Sequence, residues 1–69
     1  MITIRFESGH ERRLKADSAA VEDEVLVIYA YTKDHKALRM TNSFPSKSVR
    51  WANLDGGNYV VGSKETRYD

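Results

Sequence analysis

Side chains alternate along this chain. Ile2, Ile4 and Phe6 fall on one side of an extended backbone, and Thr3, Arg5 and Glu7 on the other. That two-residue period belongs to a strand with one buried face. Glu7-Ser8-Gly9-His10 interrupts it, with Gly9 free to take the positive φ of a tight turn. Glu11 to Asp17 reads as the return strand, Leu14 and Ala16 inward, Arg13 and Lys15 outward. For residues 16–24 two readings stand. Asp17 or Ser18 is a residue type that caps helices, but the segment has few apolar residues to pack. A bent continuation of the strand, ending in the acidic turn Glu22-Asp23-Glu24, fits better.

Val25 to Thr32 is the clearest strand, with β-branched and aromatic residues on both faces, as in a strand buried on two sides. Glu24 and Lys33-Asp34 flank it with charge, which guards such a run against aggregation. Lys33-Asp34-His35-Lys36 reads as a turn. Ala37 to Ser43 is the next strand, with Leu38 and Met40 inward and Arg39 and Thr41 outward. Pro45 has no amide to donate and ends regular pairing there. Residues 44–48 then suit one helical turn over Phe44, and Val49 to Leu54 a fifth strand. Asp55-Gly56-Gly57-Asn58 is a turn signal, so Tyr59-Val60-Val61 can pair back as a sixth strand.

These segments predict an all-β chain: a small antiparallel barrel or curled sheet of five or six strands, with one short helical turn before the fifth. With 69 residues there is room for one domain, expected over residues 1–62, with a frayed tail from Ser63 to Asp69. The expected core is Ile2, Ile4, Phe6, Leu14, Val25, Val27, Ile28, Leu38, Met40, Phe44, Val49 and either Trp51 or Leu54. At roughly 1.5–3 kcal/mol each, such side chains offset backbone ordering only narrowly. Modest stability or a homo-oligomer is the expectation.

The spacing of residues through the first half carries a resemblance. Phe6-Glu7-Ser8-Gly9, the basic and apolar return through Leu14, then Ala16-Asp17 and Val21-Glu22-Asp23-Glu24-Val25-Leu26-Val27 resemble small β-rich proteins encoded by bacteriophages and prophages. The resemblance rests on pattern rather than on a diagnostic motif. It implies an SH3-like barrel and a role in binding other macromolecules, and it transfers no functional residue.

Composition narrows the function classes. The hydrophobic share of 41% and charged share of 30% suit a folded domain. Cysteine is absent, so disulfides, thiolate metal sites and cysteine nucleophiles are excluded. The longest apolar run, Val25 to Tyr31, falls far short of the ~20 residues of a membrane helix. The alternating start at Met1 is not a secretory signal, and a cytoplasmic chain is the expectation. His10 and His35 sit in turn sequences, where histidine is ordinarily a solvated residue, and none of the six serines lies in a G-x-S-x-G context. Asp55-Gly56-Gly57-Asn58 lacks the lysine and helix of a phosphate loop. Asp17, Glu22, Asp23 and Glu24 cluster, but without the spacing or glycine of a calcium loop they read as a solvated turn. Neither an enzyme, a cofactor nor a metal is expected.

Charge is segregated under a net +1. Residues 16–24 carry four acids and no base, and residues 25–50 carry five bases and one acid. If Arg5, Arg39 and Arg50 point outward beside Tyr29, Tyr31 and Trp51, they form a basic, aromatic surface. Two non-catalytic functions fit. The favoured one is a protein-interaction module, for a host protein or for a second copy of the chain, since near-zero net charge with separated patches suits complementary docking. The alternative is a single-stranded nucleic-acid surface, with bases stacked on aromatics and phosphates on arginine.

Overall fold

The computed structural model describes residues 1–55 and 58–61. They form strands β1 (Ile2–Phe6), β2 (Glu11–Leu14), β3 (Ser18–Glu22), β4 (Val25–Tyr31) and β5 (Leu38–Pro45). A 3₁₀ turn (Ser46–Ser48) follows, then β6 (Val49–Leu54) and β7 (Asn58–Val61). The expected all-β class is observed. The expected tail from residue 63 lies outside the described residues, as do both glycines of the last turn.

Two antiparallel sheets make up the fold, one ordered β2-β1-β6-β7 and the other β3-β4-β5. Where five or six strands were expected, the described residues form seven. The predicted bent strand is divided at residues 15–17, where the chain leaves the first sheet for the second: the Asp17 amide donates to the Tyr29 carbonyl at 2.9 Å. Residues 18–22 are extended, not helical. The sheets face each other, and no ladder closes them into one barrel among the described residues.

Turn chemistry follows the sequence closely. Gly9 has φ +100°, its amide donating to the Phe6 carbonyl at 2.9 Å. The Glu22–Val25 pairing leaves a two-residue loop in which Asp23 and Glu24 have φ 54° and 64°. Both central residues of a type I′ hairpin turn take this sign. Pro45 is the last residue of β5, opposite Val25, and hands over directly to the 3₁₀ turn.

Ile2, Ile4, Val49 and Ala52 of the first sheet meet Leu26 and Ile28 of the second, with Ala16 at the crossing between them. Phe6, Leu14, Phe44 and Leu54 pack around this centre, half-buried. One expectation is corrected here and one alternative is decided, and a single inserted residue explains each. In β5, Met40 lies opposite Tyr29 but Asn42 lies opposite Ile28, so Thr41 is an extra residue in a bulge. One extra residue reverses the facing of everything beyond it. Phe44 thus points to the core, while Leu38 and Met40 turn to the outer face, 44% and 62% exposed. In β6 the extra residue is Arg50: Val49 lies opposite Phe6, yet Trp51 lies opposite Arg5. Trp51 is turned outward and Leu54 takes the inward place opposite Ile2. Along β4 Leu26, Ile28 and Ala30 face the other sheet, and Val25, Val27, Tyr29 and Tyr31 alternate to the opposite side; Val27 is buried there as expected, whereas Val25 is only half-buried and Leu26, not expected in the core, is fully enclosed. Among the described residues no helix is long and apolar enough to cross a membrane.

Candidate binding surfaces

On the outer face of the first sheet, Arg5 lies between Glu11 of β2 and Trp51 of β6, its cross-strand neighbours. Its guanidinium carbon is 5.8 Å from the centre of the Trp51 ring, and Nη2 is 3.5 Å from Glu11 Oε2. Tyr59 meets Trp51 edge-to-face at 6.0 Å. Arg5 is the central cation of a cross-strand stack, a packing role that aromatic and charged neighbours on one sheet face commonly share.

The outer face of the second sheet carries the other two predicted aromatics. Tyr29 lies opposite Met40, and Tyr31 opposite Leu38. With Val27 and Ala20 these residues make a continuous apolar face. The Tyr29 hydroxyl donates to Glu22 Oε2 at 2.8 Å. This bond, helped by desolvation and the nearby negative charge, raises the phenol pKa above its ordinary value. The Tyr31 amide donates to Asp17 Oδ2 at 2.8 Å, and its ring lies 6.4 Å from that of His35.

Arg39 and Arg50 join neither face as predicted. Arg39 lies opposite Ala30, on the side of β5 turned away from Met40 and Leu38. Arg50, displaced by the bulge, holds Glu7: its Nε is 3.5 Å from Glu7 Oε1, and Nη2 donates to the Glu7 carbonyl. The six predicted residues are thus distributed over both outer faces and their margins. Arg5 with Trp51 and Tyr29 with Tyr31 look away from each other, because the two sheets pack through their opposite faces.

A third surface was not legible in the sequence. An open groove of about 750 Å³ runs between the β1–β2 turn and the junction of β5 with the 3₁₀ turn. Its floor is Phe6 and Phe44, edge-to-face at 5.3 Å, and its rim carries His10, Arg12, Lys47 and Glu7. Arg12 lies opposite Ile4 and so faces inward from an edge strand, its guanidinium 5.7 Å from the Phe44 ring centre. The only available signal was the alternation of β2, which sets Arg12 on the same face as Leu14.

His10 and His35 sit in separate turns, and no three His, Asp or Glu side chains gather as metal ligands among the described residues. Comparisons with protein-family models, with curated proteins and with solved structures found no match to the chain.

Proposed function

We propose that this chain is a non-catalytic protein-interaction module, of the phage or prophage accessory type, working in the cytoplasm. We further propose that the outer face of β3-β4-β5 is its docking surface and that a second copy of the chain is its first partner. An SH3-like reading of the fold supports the first part. A chain that crosses from one sheet to the other between β2 and β3, a three-stranded meander and a 3₁₀ turn before the strand that pairs with β1 support that reading.

One observation carries the docking surface: Tyr31, Leu38 and Met40 are 47%, 44% and 62% exposed on one continuous face. Contiguous apolar surface is selected against in monomers and marks places where something docks. The occupant follows from charge. Between its register neighbours the face presents Glu22 as its charged group, and that carboxylate already accepts the Tyr29 hydroxyl. A surface of this kind matches its own copy across a twofold axis, sheet stacked on sheet.

Sedimentation equilibrium tests this. The wild type should dimerise as its concentration rises towards about 1 mM, where a contact of about 4 kcal/mol is half-formed. Met40→Asp should remain monomeric with an unchanged circular dichroism spectrum. A wild type that stays monomeric throughout that range overturns self-docking on this face.

A further inference from the structure

The groove floored by Phe6 and Phe44 lies away from the proposed docking face and calls for a different ligand. We infer that it receives an acidic peptide segment with one apolar side chain, the side chain resting on the apolar floor that the two rings form and flanking carboxylates meeting Arg12 and Lys47. Three observations carry this. The half-buried rings leave an apolar floor in a space of about 750 Å³, within the size range of side-chain and small-ligand pockets. Arg12 and Lys47 stand on opposite banks, one on β2 and one on the 3₁₀ turn. The acid on the rim, Glu7, is already paired with Arg50 at 3.5 Å.

A nucleic-acid strand fits the same groove poorly. Base stacking needs an open ring face, and here Phe6 meets Phe44 edge-on while the Arg12 guanidinium lies over Phe44. A phosphate backbone leaving the groove past Lys47 would also approach the acidic β3–β4 turn, because the Glu24 carbonyl accepts the Ser46 amide at 3.0 Å. A short acidic segment needs only the local cations.

The test is an amide-resolved NMR titration of the full chain with a blocked peptide of glutamates around a central leucine. A peptide with lysine in place of each glutamate and an oligothymidylate run in parallel. The expected result is saturable shifts centred on Phe6, Arg12, Phe44 and Lys47 with the acidic peptide alone, weakening as salt is added. Arg12→Gln should reduce affinity about fivefold, the scale of one exposed ion pair, and Lys47→Glu at least as much. Each variant's amide dispersion reports whether it has kept its fold. Met40→Asp should bind the acidic peptide like the wild type, so failure of self-docking and failure of this site are read separately. No shift at millimolar peptide, equal shifts with the lysine peptide, or tighter binding of the oligonucleotide at these amides overturns the inference.

Discussion

Tyr29 shows how one side chain can be both a surface group and a local clamp. Its hydroxyl spans from β4 to Glu22 at the end of β3, and the carboxylate stabilises the protonated phenol. A raised folded-state pKa means that this preference is fully present below the unfolded value near 10 and is lost as pH rises through the folded value. Glu22→Gln should therefore bring the Tyr29 ionisation back towards the ordinary range, read by ultraviolet absorbance during alkaline titration. An unchanged titration in that variant would remove Glu22 as the cause. Asp34 has the opposite sign. Its carboxylate accepts the Thr32 hydroxyl and the Lys36 amide, which hold its pKa below the usual aspartate value. Its contribution is present above the unfolded aspartate pKa and disappears as pH falls through the lower folded one.

Turns and bulges decide the elements. Asp23 and Glu24 occupy the left-handed region at which Asn-Gly is the preferred pair. Replacing them with Asn and Gly should stabilise the β3–β4 hairpin by about 1 kcal/mol, as relief of φ strain at such sites generally does. Urea unfolding measures it, and a lower midpoint would mean that the acidic side chains contribute more than their strain costs. The strands themselves were readable from residues: alternation in 2–6, β-branched density in 25–31 and the Gly9 turn all appear where expected. The bulges were not. Nothing in the residue types of Thr41 or Arg50 marks them as inserted, because a bulge is defined by what the neighbouring strand does. Leu38 and Met40 were expected inward for that reason and are turned outward by one residue of register, and the same kind of shift decides between Trp51 and Leu54 in favour of Leu54 for the core.

At the scale of the whole molecule, stability rests on a few side chains. Ile2, Ile4, Leu26 and Ile28 are the largest that are fully enclosed. Ile28→Ala should cost about 2–5 kcal/mol, enough to unfold a marginal domain of this size. Met40→Ala should cost less than about 0.5 kcal/mol, as exposed substitutions usually do. Chemical denaturation of the two variants below the dimerisation range compares them directly. Equal losses would place Met40 in the core and contradict the bulge at Thr41. The two open surfaces follow from the same economy. A small two-sheet fold has enough large apolar residues for one interior, so Tyr31, Leu38 and Met40 remain outside it, and Phe6, Phe44 and Arg12 line an open groove.

Residue order by itself determined that this chain is built from strands, where it turns, and that Ile2, Ile4, Ile28 and Val49 are buried, because period, β-branching and glycine act within a few positions of one another. The tertiary structure alone decided which strands share a sheet, on which side Leu38, Met40 and Trp51 lie, and that Arg12 meets Phe44. Those facts depend on register between segments distant in the chain, and one added residue in either partner reverses them.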